Sequence, residues 1–209
     1  VTFRTRVIHP IRKDIMTATM SFISRGIRSA SHKSRLSPGA APVGDPGVGF
    51  ALWSPGRADN AQLETRYAGK NPKNANCVGE NLSPALAWAR APATTRSFVI
   101  LMDDQAGRTG LGVNHWVAYG IAPEANGLPE AAAVAAPAGF SAGKNSLGLH
   151  YLGPCPPRGN APQHYVFTLI ATSLEAGALP PGLDKAAVLE EFKGGKALGA
   201  ASLVLRFNH

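Results

Sequence analysis

Ser97-Phe-Val-Ile-Leu-Met-Asp-Asp-Gln-Ala-Gly-Arg-Thr-Gly-Leu-Gly-Val-Asn-His-Trp-Val-Ala-Tyr-Gly-Ile121 is the stretch whose reading decides the fold. Ser97 to Met102 is a run of β-branched, aromatic and large apolar side chains that stops at Asp103 and Asp104. Asn114 to Ile121 is a second strand-like run, and the connection between them carries Gly107, Gly110 and Gly112, residues of turns rather than helices. His164 to Ala171 and Ala201 to Phe207 add two more strands. Only Asp184 to Lys193 reads as a helix: Asp184 can cap it, Val188, Leu189 and Phe192 form a stripe, and Gly194 stops it. Strands do not alternate with helices, so the expected class is all-β. The expected architecture is an antiparallel β-sandwich with one or two short helices near the C-terminus.

Charge divides the chain of 209 residues, whose formal net charge is +8. Arg4, Arg6, Arg12, Lys13, Arg25, Arg28, Lys33 and Arg35 face only Asp14 within residues 1–37, so the excess belongs to an N-terminal arm. That arm is too polar to bury a core and is expected to be a disordered extension over 1–38 with no specific role; Met16 and Met20 stand inside it as alternative starts. Gly, Pro and Ala dominate 39–49, which reads as a linker, and the domain is expected over 50–209. The domain is nearly neutral, which argues against a nucleic-acid footprint on it. No continuous apolar segment resembles a secretory signal or a membrane span, so the expected compartment is the cytoplasm. Two cysteines, Cys77 and Cys155, form no metal-binding spacing; with export, they could pair as one disulfide. No phosphate loop or dinucleotide fingerprint is present, and no cofactor or metal is expected.

The ends of the first two strands carry candidate chemistry. If those strands pair, Asp103 and His115 meet at one rim of the sheet, where the carboxylate would orient the imidazole and favour its charged form as an anion donor. Against this stands the plainer reading of Asp103 as a turn cap and His115 as a satisfied core residue. Pro154, Pro156 and Pro157 stiffen the loop before the third strand, a property of ligand walls. Beyond the loop, Gln163 and Tyr165 share one strand face and His164 takes the other.

Taken in order, Asn81-Leu-Ser-Pro-Ala-Leu-Ala-Trp88, Pro92 to Asp103, His115-Trp-Val117, Gly153-Pro-Cys-Pro-Pro-Arg-Gly159 and Tyr165-Val-Phe-Thr-Leu resemble the phosphatidylethanolamine-binding protein family. The nearest branch is the bacterial Raf-kinase-inhibitor-like proteins, and the resemblance runs from about Phe50 to Phe207. It implies a small antiparallel β-sandwich with a shallow pocket for phosphate-like anions or phospholipid head groups. It also implies a binding or regulatory protein without catalysis, including inhibitors of kinases or proteases. Carried over by position, the pocket comprises Asp103, His115, Gly153, Cys155, Pro156, Pro157 and Tyr165. Two positions depart from the pattern: Gln105 replaces the second carboxylate of the usual Asp-Pro-Asp-Ala-Pro turn, and Gln163 replaces a histidine.

These residues are compatible with three functions. The leading one is a non-enzymatic anion-binding module with phosphate or phosphoethanolamine as ligand. A thiol-dependent hydrolase using Cys155 with His115 or His150 is the enzymatic alternative. The third is a protein-interaction module with a vestigial pocket, its oligomeric state open to a homodimer.

Overall fold

The computed structural model describes residues 49–134, 139–148 and 150–209. The extension expected over 1–38 and the linker expected up to Gly49 lie outside them, Gly49 excepted. The strands in chain order are β1 (Ala51–Trp53), β2 (Ala61–Gln62), β3 (Leu86–Ala89), β4 (Ser97–Asp104) and β5 (Val113–Ile121). They continue with β6 (Gly127–Leu128), β7 (Ser141–Ala142), β8 (Gln163–Thr172) and β9 (Ala197–Phe207). A three-stranded sheet has the order β1-β3-β6, and a six-stranded sheet has the order β2-β9-β8-β4-β5-β7. Every described strand pair is antiparallel except β2 with β9.

Strand β4 lies inside the larger sheet and is covered on both faces, which is why its sequence is continuously apolar rather than alternating. Phe98, Ile100 and Met102 turn inward with Trp116, Ala118, Phe167, Leu169, Leu203 and Leu205 to meet Leu52, Leu86 and Trp88 of the smaller sheet. Val99 and Leu101 turn the other way, with Val117, Tyr119 and Ile170, beneath Val188 and Phe192. The sandwich expected from the sequence is therefore present, with a helix closing its outer face.

That helix is α2 (Lys185–Glu190), preceded by the short α1 (Gly107–Gly110) in the β4–β5 connection. The Asp184 side chain caps α2 by accepting from the Ala187 N–H at 2.9 Å, and Gly194 follows with φ 79°. Val188 is fully buried, but Leu189, expected on the same stripe, is 37% exposed. Adjacent residues lie about 100° apart around a helix, so placing Val188 on the sheet turns Leu189 away from it. The helices were expected near the C-terminus. α1 departs from that, and it is one turn with Arg108 and Thr109 at φ 50° and 57° rather than a regular helix.

One irregularity positions the site. Met102 pairs with Trp116, but the next residue, Asp103, pairs with Asn114, so β5 contains one more residue than β4 at this point. His115 is that extra residue. A bulge reverses the alternation beyond it. Without it, His115 would share the face of Val117 and look toward α2; with it, His115 joins Asp104 and Tyr165 on the inner side.

Candidate functional site

Asp104, the last residue of β4, stands directly across from Tyr165 near the start of β8. The bulge brings His115 beside them, its ring edge-on to Tyr165 with centroids 5.3 Å apart. These three, with Leu152, Cys155, Pro156, Pro157, Gln163, Asn160, Asn74, Leu147 and the α1 turn, line a cavity of about 390 Å³.

The proline-stiffened loop is fastened to the sheet at this point. The Leu152 N–H donates to the His115 carbonyl at 3.1 Å, and the His115 Nδ1–H donates to the Leu152 carbonyl at 2.7 Å. The second bond fixes the neutral tautomer, leaving Nε2 as the ring's remaining acceptor. Gly153 follows, and its N–H donates to Asn81 Oδ1 at 2.8 Å. A Cβ on Gly153 would lie 2.2 Å from the Tyr67 carbonyl oxygen, so only glycine lets the loop approach that backbone.

Burial sets the charge states. His115 is 5% exposed, and desolvation holds its pKa below the ordinary 6.5, opposed by the Leu152 carbonyl and by Asp104 and Asp103. Burial also pushes the Asp104 carboxyl above its ordinary range, opposed by hydrogen bonding to backbone N–H groups at Ala106 and Gly107 and by the positive charge that His115 carries only when protonated. Tyr165 is raised by burial, first, and by Asp104, so its hydroxyl stays protonated; it donates to Gln163 Oε1 at 3.3 Å. At neutral pH the cavity therefore holds one buried carboxyl, an uncharged imidazole, and the Arg108 side chain in its outer wall.

The structure divides the residues expected from the sequence. His115, Cys155, Pro156, Pro157, Gln163 and Tyr165 line one cavity, and His164 is exposed on the opposite side of β8. Asp103 does not line that cavity, which corrects its expected pairing with His115. It points toward α2, accepting from Lys185 Nζ at 2.9 Å and from Asn114 Nδ2 at 3.1 Å. The physical reason is alternation: Asp103 shares the face of Leu101, and Asp104 takes the place expected for it. Gln105 is exposed beside a smaller cavity of about 220 Å³, and Gly153 supports the wall from behind.

The alternative that uses Cys155 as a nucleophile requires a correction. The sulfur of Cys155 is bonded to Cys77, so it is a wall residue with no thiol to act as nucleophile. His150, the alternative base, is exposed, with Nδ1 3.1 Å from the Gly143 carbonyl, and does not line the cavity. Among the described residues, no group of three or more His, Cys, Asp or Glu is placed to hold a metal ion.

Residues 53–208 match the sequence profile of the phosphatidylethanolamine-binding protein family. The chain belongs to that family. It is 35% identical over 161 residues to the UPF0098 protein of Aquifex aeolicus, covering 75% of this chain and 93% of that protein. A Mycobacterium tuberculosis protein named as a lipoprotein, LppC, is 36% identical over 143 residues, covering 68% of this chain and 63% of that protein. The crystal structure of Escherichia coli YbcL, described as a member of the mammalian family, superposes with a TM-score of 0.68 at 27% identity; the match covers 78% of this chain and 99% of YbcL. Family membership makes this a protein of the phosphatidylethanolamine-binding fold.

Sequence reasoning missed Asp104, Arg108, Asn74 and Asn160. Asp104 was hidden by the bulge, which leaves no mark on the hydrophobic pattern. Arg108 sits in a glycine-rich turn without a motif, and Asn74 reaches the cavity only through the disulfide-bonded loop.

Proposed function

We propose that this chain is a non-enzymatic binding protein whose pocket takes a zwitterionic, phosphate-bearing head group, with phosphoethanolamine as its simplest form. The observation that carries this reading is the charge arrangement of one cavity: a buried carboxylate at Asp104, a guanidinium at Arg108 in the outer wall, and His115 between hydrogen-bonding side chains. Asp104 suits an ammonium group, whereas Arg108 and the loop suit phosphate. His115 strengthens the phosphate contact when it takes up a proton at Nε2. Hydrogen bonds to charged partners contribute about 1.5–3 kcal/mol each. Regulation of a kinase or protease would then act through the surface around the pocket.

The absence of a thiol at Cys155 supports binding over thiol hydrolysis. The disulfide also supports an oxidising compartment rather than the cytoplasm expected from the sequence. No described helix is long and apolar enough to cross a membrane.

Calorimetric titration with phosphoethanolamine, ethanolamine and inorganic phosphate tests the reading. Phosphoethanolamine should bind more tightly than either fragment. Equal affinity for phosphate alone would remove the role of Asp104, and no binding of any of the three would overturn the proposal.

A further inference from the structure

Two segments from distant parts of the chain form facing parts of the cavity. The loop at 151–157 supplies Leu152, Cys155, Pro156 and Pro157, and the loop at 70–78 supplies Asn74. They are anchored very differently. The first is held by the paired bonds between His115 and Leu152, by Gly153 N–H to Asn81 Oδ1, and by Gly69 N–H to the Pro154 carbonyl at 2.8 Å. The second closes at its base, where Lys70 bridges Val78 and the Gly79 N–H donates to the Gly69 carbonyl at 3.0 Å.

Within 71–77, by contrast, every described hydrogen bond stays inside the segment. The Asn74 N–H donates to the Asn71 carbonyl at 2.9 Å, and the Cys77 N–H donates to the Asn74 carbonyl at 2.9 Å. The Lys73 N–H donates to Asn71 Oδ1 at 3.0 Å, and the Asn76 N–H donates to Asn74 Oδ1 at 3.0 Å. These turns shape the loop but do not attach it to the sandwich. Its one covalent attachment there is the Cys77–Cys155 bond, and both cysteines are only half-buried, within reach of a small thiol.

We propose that this disulfide is a redox latch for the pocket, holding the Asn74 loop closed in the oxidised chain and releasing it on reduction. A dithiol reductant attacks one sulfur and the other leaves as a thiolate. The reductant's second thiol then displaces the mixed disulfide. Two electrons and two protons pass to the protein, leaving Cys77 and Cys155 as thiols and the reductant as a cyclic disulfide. The anchored loop keeps its place, so the wall that opens is the one carrying Asn74. Ligand affinity falls in proportion to the fraction of chains with the loop closed. A loop closed in about a tenth of reduced chains gives an affinity about tenfold weaker.

The ligand half of this inference rests on the head-group reading; the loop half does not. The test uses the full chain, oxidised and after treatment with a dithiol, with phosphoethanolamine as the calorimetric probe and hydrogen exchange over residues 73–78 as the second readout. The latch predicts affinity about tenfold weaker after reduction, recovery on reoxidation, and an exchange rate that rises most in that loop while β4 and β8 remain the slowest-exchanging segments. Equal affinity in both states, or exchange unchanged by reduction, overturns it. If even the oxidised chain fails to bind phosphoethanolamine, the head-group reading falls, and unchanged loop exchange alone would overturn the latch. Should reduction unfold the domain, the latch is overturned, because it requires the sandwich and the anchored loop to keep their place when the bond opens.

Discussion

The His115 Nδ1 lies 2.7 Å from the carbonyl oxygen of Leu152, in a residue that is 5% exposed. This bond ties the ring to the proline-rich loop and decides which nitrogen remains for a ligand. It also removes the need for the Asp103 partner expected from the sequence. A backbone carbonyl orients His115, and burial keeps it neutral until pH falls below the ordinary histidine range.

The protonation of His115 has a stability consequence with a definite sign. Its folded pKa is lowered, so as pH falls below 6.5 the unfolded chain takes up the proton first. His115 therefore destabilises the fold progressively from the ordinary value down to its folded pKa. Nitrogen-detected NMR should show Nδ1 protonated and Nε2 unprotonated at neutral pH, with titration below 6.5. Titration at or above that value would contradict the assignment.

The two adjacent aspartates should behave oppositely. Asp104→Asn should weaken phosphoethanolamine binding about 10- to 100-fold, the loss of one charged hydrogen bond. Asp103→Asn should leave affinity within about twofold, because its contacts go to Lys185 and Asn114. The folded pKa of Asp104 is raised, so its contribution to stability is complete below the unfolded pKa and is lost as pH rises through the folded one. Asp104→Asn should thus melt no lower than the parent at neutral pH, as thermal unfolding would show. If Asp103→Asn were the variant that lost binding, the bulge-based placement would be wrong.

Gly153→Ala tests the close approach behind the pocket. The new Cβ would meet the Tyr67 carbonyl oxygen at 2.2 Å, and neither backbone can yield without moving the loop or the neighbouring 67–69 segment. Overpacking of this kind costs about 1–3 kcal/mol, so the unfolding midpoint should fall by several degrees. An unchanged midpoint would mean that the loop is freer than its hydrogen bonds indicate.

The Cys77–Cys155 bond joins residues 78 apart in sequence. Chain-entropy reasoning for a loop of that length gives a stabilisation of about 4–5 kcal/mol. Chemical denaturation with and without a dithiol should show a loss of that order, and no loss would indicate that the oxidised bond is not formed in solution.

Much of this fold was legible because its strands are long and their burial is extreme. The run Ser97–Met102 declared a strand, and Asp184 with Val188 and Phe192 declared α2. The proline-rich loop and the shared face of Gln163 and Tyr165 were equally readable, since fixed φ angles and two-residue alternation are local properties. The identity of the pocket aspartate was not. One additional residue in β5 reverses the side on which His115 emerges, and a register shift depends on pairing, not composition. Neither could the sequence choose between free thiols and a disulfide, because Cys77 and Cys155 become neighbours only when the 70–78 loop folds against the wall.

The most direct test of a head-group pocket built on Asp104 and His115 is calorimetric titration of phosphoethanolamine between about pH 5 and pH 8, on the oxidised chain and on His115→Ala. As pH falls through the histidine's folded pKa, protonation at Nε2 should tighten the parent's hold on phosphate relative to the variant. The ratio of parent to variant affinity should therefore rise, while Asp104 and the phosphate titrate alike in both. A ratio of parent to variant affinity that holds constant across the range would contradict the account.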